Sequence, residues 1–510
     1  MMPAISPNAF APLAGESGTP LYRQLYERVR ASIAAGDLAP GDRVPSARAL
    51  AKELGVARGT IELAYELLTS EGYLLARGQA GTVIHPALQP AAALAPAAVA
   101  PPDMPPSSTR DMLWRPAQLL PFQLGVPAMD AFPRKIWARL GARYLRGMQA
   151  ADLDYPPPHG LPALRSGIAS YLQVARGIDC GAHQVFVTTG YRASLQLAAR
   201  AVMQAGERAW VEDPGYPSTR QLLRESGLLP VAVPVDAQGL MVERGIALAP
   251  DAKVVTVTPA HQSPLSMSLS LPRRHALLEW AAAQGAWVVE DDYDGEYRYS
   301  SRPLPALASL DRHGRVLYAG TFSKVLFPGI RLAYLVVPQA QVAAFERVGR
   351  IFFAAATPAI TQSIVADFMA EGHFSRHIQR MRKLYAERRA AAIAALERGL
   401  EGRLRTEPQP GGMHLVLRLP GERSDQPLAE KLLAHGMAVQ PMSGWWASEC
   451  TDSALLLSFT NCTTAAQAER LGRLIRQSLY IRTDRPCRGR RPCRPSPAPR
   501  ERQRSGGSSR

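Results

Sequence analysis

Apolar residues recur with a helical period in three segments between residues 20 and 70. In the first segment they lie four residues apart, at Leu21, Leu25, Val29 and Ile33. The second segment, PSARALAKELG, predicts a short helix with Ser46 as its N-cap residue and Gly55 as its stop. The third, ARGTIELAYELLTSEGYL, has an apolar face formed by Ile61, Tyr65 and Leu68. The pattern therefore predicts three helices, the last two joined by a tight turn.

The last two predicted helices and their turn make a helix-turn-helix. Four residues of the third helix's first turn lie outside its apolar face: Arg58, Gly59, Thr60 and Glu62. An arginine and a hydroxyl at that place can reach base edges or phosphate oxygens in a major groove. The segment LLARGQAGTVIH predicts a hairpin around Gly78 and Gly81 beside this helix. From these residues alone, a three-helix packing module with solvated arginines is an equal alternative.

Further along the chain, strand-like apolar runs alternate with helical stretches. The strand-like runs are QVFVTTG, RAWVEDPGY, KVVTVTPAH, AWVVEDDYD, RVLYAGTFSK and RLAYLVVP, and helical patterns such as ASLQLAARAVMQAG and RRHALLEWAAAQG lie between them. Such alternation predicts an α/β domain with a doubly wound, mostly parallel sheet. Ligand chemistry in such sheets lies at the carboxyl ends of the strands.

Composition separates these two regions. PALQPAAALAPAAVAPPDMPP is almost entirely Pro and Ala and predicts a linker. The last thirty residues hold ten arginines against Asp484 and Glu501, which predicts a basic disordered tail. We therefore expect four segments: a helical N-terminal domain at 15–85, the linker at 86–118, a large domain at 119–480 and the tail at 481–510.

Charge and cysteine content indicate the class of protein. The net charge is +16, but about half of it belongs to the tail, so the folded body is only mildly basic. Five scattered cysteines are too few for a disulfide framework, which fits a reducing cytoplasm. No window approaches the roughly 18 uninterrupted apolar residues that a membrane span needs. We expect a cytoplasmic protein without a membrane segment.

Polar residues cluster at two predicted strand ends. After one buried strand come Glu290, Asp291, Asp292, Tyr293, Asp294 and Glu296. Crowded carboxylates need a cation or protons, so an acidic metal-binding loop and a cofactor role are equal alternatives here. The run GTFSKVLFPGIR supplies Thr321, Ser323, Lys324 and Arg331. Hydroxyls and a guanidinium suit a phosphate, and a lysine among them is a candidate for a Schiff base.

Two further turns belong to the same candidate site. TTGYRASLQLAARAV predicts a strand-to-helix turn whose N–H groups could hold the same phosphate. DPGYP offers Tyr216 as a flat ring at another strand end.

The segment GDRVPSARALAKELGVARGTIELAYELLTSEGYLLARGQAGTVI resembles the winged-helix domain of GntR-type regulators. The resemblance implies that Arg48, Arg58 and Thr60 contact DNA and that Gly81 lies at the wing tip. Ala57 stands where a Ser or Thr often caps the recognition helix, and Gly59 where a longer polar residue often reads a base. A missing cap and a helical glycine each cost about 1 kcal/mol, so we expect this helix to become fully ordered only on DNA.

The motif order along residues 119–479 resembles fold-type I pyridoxal-phosphate enzymes of the aminotransferase class. The resemblance implies that Lys324 binds pyridoxal 5′-phosphate as a Schiff base, Asp291 pairs with its ring nitrogen and Tyr293 donates to its phenolic oxygen. It implies ring stacking by Tyr216. It assigns the phosphate to the turn at Tyr191 and Arg192 and to Thr321, Ser323 and Arg331. YPPPHG resembles the stretch that lends a tyrosine to the partner subunit, which makes Tyr155 a candidate and implies a homodimer.

A GntR-type winged helix joined to an aminotransferase-like domain is similar to the layout of MocR-type regulators, also called the GabR-like group. That resemblance implies a head-to-tail homodimer that binds operator DNA. It also implies that pyridoxal phosphate, alone or with a small amino compound, sets the DNA affinity, so that the two affinities are coupled reciprocally. No metal is implied.

Two departures from the family pattern affect the expected activity. SPLSMS follows PAHQ where a Pro-Thr-Gly turn is typical, so Leu265 and Ser266 replace pocket residues. DSALLLSFTN has three leucines, residues 455–457, where aminotransferases usually keep an arginine for the substrate carboxylate. An α-amino acid would then be held weakly, or by Arg192 or Arg220.

Three hypotheses remain. We expect a pyridoxal-phosphate-responsive transcription factor. The alternatives are a working aminotransferase with a DNA-binding appendage, and a repressor whose large domain only dimerises. The operator, the effector and the sign of regulation stay open.

Overall fold

The computed structural model describes residues 10, 19–78, 81–88, 119–299, 305–352, 357–404, 406, 411–420, 424–450 and 452–480. The chain divides into two compact units, residues 1–115 and 116–510. The division falls inside the segment predicted as a linker, and the predicted domain boundaries themselves stay a prediction. The tail and nearly all of the linker lie outside the described residues. Among the helices described, none is long and apolar enough to cross a membrane.

The N-terminal unit is a winged helix-turn-helix. Its elements are α1 (Leu21–Ala35), β1 (Arg43–Val44), α2 (Ala47–Leu54), α3 (Arg58–Ser70), β2 (Leu74–Ala76) and β3 (Thr82–Ile84). Ser46 caps α2, since its side chain accepts the N–H of Ala49 at 3.3 Å. Gly36 and Gly55 end the first two helices in the left-handed conformation. The three predicted helices and the hairpin are therefore confirmed, while the short β1, which pairs with β3, was not predicted.

The apolar faces predicted for these helices meet in one core. Its fully buried members include Leu25, Val29, Leu50, Ile61 and Leu68. The hydroxyl of Tyr65 donates to the carbonyl of Pro45 at 2.9 Å, which fixes α3 against the segment that precedes α2.

The larger unit contains an eight-stranded sheet in the order β4-β11-β10-β9-β8-β5-β6-β7. The strands are β4 (Val185–Thr188), β5 (Arg208–Asp213), β6 (Leu229–Asp236), β7 (Gly239–Leu240), β8 (Val254–Val257), β9 (Trp287–Asp292), β10 (Val316–Thr321) and β11 (Ala333–Val336). β11 is antiparallel to both of its neighbours, and β7 is antiparallel to β6. The other pairs are parallel. The predicted mostly parallel α/β sheet is confirmed.

Helices cover both faces of this sheet. The helices of the larger unit are Arg134–Gly147, Pro162–Arg176, Tyr191–Val202, Pro217–Glu225, Val242–Leu248, Leu271–Gln284, Val342–Phe352, Ala359–Ala370, His373–Leu400, Asp425–Ala434 and Ala465–Tyr480. Alternate residues of one strand enter different cores. Tyr318 packs in one cluster, and Leu317 and Ala319 pack in another. Burial on both faces explains why these strands are apolar at nearly every position.

A second sheet, of three antiparallel strands, lies toward the C-terminal end of the chain. Its strands are β12 (His414–Arg418), β13 (Gln440–Pro441) and β14 (Ala454–Ser458), in the order β12-β14-β13. Helices His373–Leu400 and Ala465–Tyr480 share its apolar core with Leu415, Leu455 and Leu457. The sequence pattern did not predict this sheet.

Candidate functional site

The carboxyl ends of β9 and β10 bring the acidic run and the lysine to one edge of the large sheet. The two strands are parallel, and Asp291 lies opposite Ala319 in their register. The chain leaves β10 at Thr321 and reaches Lys324 three residues later. The structure therefore has these two segments at a common sheet edge, as the strand pattern predicted.

The acidic run does not form one cluster. Glu290 accepts two backbone N–H groups, each at 2.8 Å. Asp292 pairs with the buried Arg176, and Glu296 accepts the hydroxyl of Tyr171 at 2.9 Å. Burial raises the pKa of Glu290 and of Glu296 to about 7. Within the described residues no group of three acidic, histidine or cysteine side chains could hold a metal ion, so nothing there supports the metal-loop alternative.

Asp291 is the member of the run whose pKa the positive charge of Lys324 affects. Burial raises the pKa of Asp291 well above its usual range, Asp292 and Glu212 raise it further, and the positive charge of Lys324 opposes them. Such a carboxyl gives up its proton most readily when a cation comes close. A pyridine nitrogen that takes the proton becomes that cation, so Asp291 suits the ring nitrogen of pyridoxal phosphate.

Lys324 reaches into a space that a glycine leaves open. Its Nζ donates a hydrogen bond to the carbonyl of Gly125 at 3.1 Å. Gly125 has φ +72°, and a Cβ there would lie 2.4 Å from Nζ. A side chain at this position would therefore push the amine away. Gly125 was not predicted, because its signal in the sequence is a lone glycine in FQLGVPAMD.

The start of helix Tyr191–Val202 forms the side of the site predicted to hold a phosphate. Gly190 precedes this helix, and the first N–H groups of a helix have no acceptor within it. The guanidinium of Arg331 lies 3.7 to 3.9 Å from where a Cβ on Gly190 would be. After β10, Thr321 Oγ1 accepts the N–H of Ser323 at 3.1 Å. A cation, two hydroxyls and a helix N-terminus are donors that suit a phosphate.

Arg192 can contribute its main chain to this turn, while its side chain is engaged elsewhere. The side chain is 41% exposed, and its Nη2 lies 3.8 Å from the carboxylate of Glu225. Arg220, the other arginine considered for a substrate carboxylate, is buried and donates to the carbonyl of Trp445 at 2.7 Å. The guanidinium of Arg220 is therefore occupied, whereas that of Arg192 makes only a long, exposed ion pair.

Aromatic rings line another side of the candidate site. The hydroxyl groups of Tyr191 and Thr219 lie 3.0 Å apart. The ring of Tyr216 lies 6.4 Å from that of Tyr191 and 5.8 Å from that of Trp445, measured between centroids. Tyr216 is 37% exposed, which leaves part of its ring open for stacking.

The hydroxyl of Tyr293 lies 3.2 Å from Nδ1 of His261, a residue that the sequence analysis did not select. Burial raises the pKa of Tyr293 well above its usual range, so the hydroxyl stays protonated at neutral pH. The same Nδ1 lies 3.3 Å from the carboxylate of Asp294. The signal in the sequence was a histidine shortly after a buried strand, in KVVTVTPAH, at the same sheet edge.

The structure also places three other features that were predicted from the sequence: Tyr155, the leucines at 455–457 and Ser266. Tyr155 is 85% exposed, and the single chain does not bring it to the site. The leucines at 455–457 are 1% exposed or less and form the middle of β14, so this strand carries no charge there. Ser266 adopts φ +69° and lies 3.3 Å from Nε2 of His414.

The residues predicted to contact DNA lie in the N-terminal unit. Arg48 and Arg58 are exposed, and Thr60 is half-buried. Nε of Arg58 lies 2.7 Å from Glu62 on the next turn. Ala57 provides no side-chain cap, in keeping with the predicted departure.

Gly81 lies in the wing with φ +88°. A Cβ on Gly81 would lie 2.9 Å from the guanidinium of Arg43, so a glycine lets this exposed arginine lie against the wing. Arg43 was not predicted, because its place depends on the pairing of β1 with β3.

Comparison with known families matches both units. Residues 21–84 match the family described as bacterial regulatory proteins, gntR family. Residues 123–472 match the family described as aminotransferase class I and II.

Regulators with both units are similar to this chain over most of their length. The probable rhizopine catabolism regulatory protein MocR of Rhizobium meliloti is 37% identical over 84% of this chain and 87% of its own. The pyridoxine biosynthesis regulator PdxR of Corynebacterium glutamicum is 35% identical over 86% and 92%.

The large unit is also similar to solved aminotransferases. The α-aminoadipate aminotransferase LysN of Thermus thermophilus, solved with N-(5′-phosphopyridoxyl)-L-leucine, is 28% identical, with a TM-score of 0.65. The match covers 73% of this chain and 94% of that one. A kynurenine aminotransferase of Pyrococcus horikoshii is 26% identical over 74% and 95%, also with a TM-score of 0.65.

Proposed function

The chain belongs to the MocR/GabR type of gntR-family transcriptional regulators, and we propose that pyridoxal 5′-phosphate at Lys324 sets how tightly its winged helix binds operator DNA. The observation that carries the proposal is that parallel strands β9 and β10 bring the segments of Asp291 and Lys324 to one sheet edge. Tyr293 follows Asp291 by two residues. A chain built only to dimerise has no need of this arrangement.

The described residues fit pyridoxal phosphate. When bound, it supplies an aldehyde that exchanges one amine for another and a ring that withdraws electrons. Lys324 would hold the aldehyde carbon, Asp291 the ring nitrogen and Tyr293 the phenolic oxygen. Tyr216 would cover one face of the ring.

The phosphate would take donors from two segments. The helix that begins at Tyr191 offers the N–H groups of Tyr191 and Arg192, and Arg331 adds a delocalised positive charge. Thr321 and Ser323 add hydroxyl groups. These four contributions would together hold the phosphate dianion.

We propose a head-to-tail homodimer. Tyr155 is largely exposed in the single chain, as a residue that completes the partner subunit's phosphate site would be. The family resemblance supports the dimer, and the same resemblance supports a small amino compound as a second signal.

The lack of charge on β14 limits which small amino compound the site can bind. Leu456 occupies the middle of the strand, so a carboxylate has no arginine there to bind. Arg220 is buried and donates to Trp445, and the side chain of Arg192 lies toward Glu225. We propose that the signal is pyridoxal phosphate itself or an amine that does not depend on an α-carboxylate.

A working aminotransferase is the second candidate function, because the fold is that of aminotransferases. It predicts repeated turnover of an amino donor with a keto acid. The regulator predicts at most one half-reaction per cofactor and a change in DNA affinity.

The test measures the dissociation constant for DNA selected from a random pool, with and without pyridoxal phosphate. We expect a change of at least about fivefold in the wild type, in line with typical coupling energies. The Lys324→Ala variant should show none, and Lys383→Ala, which removes an exposed lysine, should behave like the wild type. Equal affinities with and without a demonstrably bound cofactor would overturn the proposed coupling.

A further inference from the structure

A buried acid–base pair lies behind Tyr293. The side chains of His261 and Asp294 are 5% and 1% exposed, and Nδ1 of His261 lies 3.3 Å from Oδ2 of Asp294. A Cβ on Gly412, which has φ +86°, would lie 1.8 Å from the imidazole ring. The ring therefore packs on bare backbone, and its position is fixed.

Nδ1 of His261 also lies 3.2 Å from the hydroxyl of Tyr293, and that hydroxyl has one proton to give. When Nδ1 carries no proton, it accepts a hydrogen bond from Tyr293. The hydroxyl then has no proton left to donate to the cofactor. When Nδ1 carries a proton, it donates to Tyr293, and the tyrosine can donate in turn to the phenolic oxygen. Whether Nδ1 of His261 carries a proton thus decides which way the hydroxyl of Tyr293 points.

The surroundings favour a proton on Nδ1 of His261, 3.3 Å from the carboxylate of Asp294. Asp294 offers a buried carboxylate whose attraction is strong away from water. His414, whose ring centroid lies 6.0 Å from that of His261, stays neutral, since burial and His261 lower its pKa to about 4. The other groups that face Tyr293 are the acids Asp291 and Glu212 and the hydroxyl of Ser263, so His261 is the base among them.

A small cavity beside His261 and Asp294 has room for a water molecule that bridges them. It has about 10 Å³, roughly the space that one water molecule needs, and His261, Asp294 and Tyr297 line it. Nε2 of His261 and both oxygens of Asp294 are buried without a hydrogen-bond partner among the described protein atoms. One water there would hydrogen-bond to Nε2 and donate to Asp294.

We propose that His261 and Asp294 act as a positioning pair that turns the hydroxyl of Tyr293 toward the cofactor and so sets the cofactor's protonation state. The inference rests on the proposed function, because it assigns to Tyr293 the phenolic oxygen of pyridoxal phosphate. Neither residue touches the cofactor in this account. Both act through Tyr293.

The test is a pH titration of the visible absorption band of the full-length protein loaded with pyridoxal phosphate. A hydrogen bond to the phenolic oxygen favours its anion, so losing the donor moves the transition to higher pH. We expect His261→Phe and Asp294→Asn each to raise the midpoint by about one pH unit, a typical shift for one charge-assisted contact. His261→Asn, whose amide can still donate to Tyr293, should stay close to the wild type.

A double variant separates positioning from general damage to the fold. If the pair acts through Tyr293, Asp294→Asn should add no further shift in a Tyr293→Phe background. Should His261→Phe fail to fold, the Asp294→Asn series decides alone. Wild-type midpoints in these variants, or an additive shift in the double variant, would overturn the inference and leave the proposed function intact. A wild-type protein that forms no band would overturn both.

Discussion

At the scale of single residues, the candidate site depends as much on absent side chains as on present ones. Gly125 leaves the space that Nζ of Lys324 occupies, and Gly412 leaves the space for His261. Both glycines have positive φ, so a side chain at either place adds backbone strain to a steric clash.

Replacing Gly125 should therefore weaken cofactor binding without removing any group that binds it. We expect Gly125→Ala to raise the dissociation constant of pyridoxal phosphate at least about tenfold, roughly 1.4 kcal/mol, because Nζ must move. Absorbance titration measures this. Gly147→Ala is the control, since a Cβ there meets nothing within 4 Å and the glycine's φ is not positive. Equal affinities of Gly125→Ala and the wild type would contradict this role.

Arg58 is the residue on which sequence discrimination should depend. It is exposed in the first turn of α3, where a guanidinium can reach guanine edges. We expect Arg58→Ala to lose roughly 1 to 3 kcal/mol of preference for selected over random DNA. Arg23→Ala, which removes a comparable ion pair from α1, should keep the preference. An unchanged ratio of the two DNA affinities in Arg58→Ala would exclude base contact by this residue.

Glu212 gives the large unit a predicted pH dependence. Burial raises the pKa of Glu212 from 4.5 to about 7, so the folded state favours its neutral form. This favourable contribution is complete below about pH 4.5 and is lost as pH rises toward 7. Glu212→Gln should lack that loss. From pH 5 to pH 8 the free energy of unfolding of the variant should therefore rise relative to that of the wild type. Denaturant unfolding at both pH values measures it, and a pH-independent difference would contradict it.

The sequence could locate the site residues that lie at strand ends, but few of the other site residues. Lys324 and Asp291 follow apolar runs whose parallel pairing places their ends together. His261 and Gly125 matter through contacts with residues 32 and 199 positions away, which no local pattern encodes.

At the scale of elements, the recognition helix is the one that its own sequence supports least. Ala57 has φ −63° and ψ 139°, close to the −64° and 149° of Ser46, yet only the serine caps its helix. We expect Ala57→Ser to stabilise α3 by about 1 kcal/mol and Ser46→Ala to destabilise α2 by a similar amount. Amide hydrogen exchange of the two helices measures both. Unchanged protection of α3 in Ala57→Ser would mean that tertiary contacts already fix its first turn.

Elements with a regular period were predictable, and those without one were not. The helices of the N-terminal unit and six strands of the large sheet follow clear patterns. β6 was missed because Pro230 and Pro234 interrupt it, although its residues 229–234 pair with β5. The three short strands of the second sheet depend on partners that are distant in sequence, such as Leu415 and Leu457.

At the scale of the whole molecule, charge is unevenly distributed. The segment 481–510 lies outside the described residues, and its ten arginines are known from the sequence alone. We expect deletion after Ile481 to lower DNA affinity without changing sequence preference, since arginines that meet phosphates release counterions. The slope of log affinity against log salt should become less steep. An unchanged slope would mean that the tail does not contact DNA.

The two units have separate chemistries, and the central claim is that the larger one holds a cofactor through Lys324. The most direct test is the visible absorption spectrum of the purified protein with pyridoxal phosphate, compared with Lys324→Ala. We predict that the band of the lysine-bound cofactor forms in the wild type and is absent in the variant. A band of equal strength in both proteins, or none in either, would contradict the account.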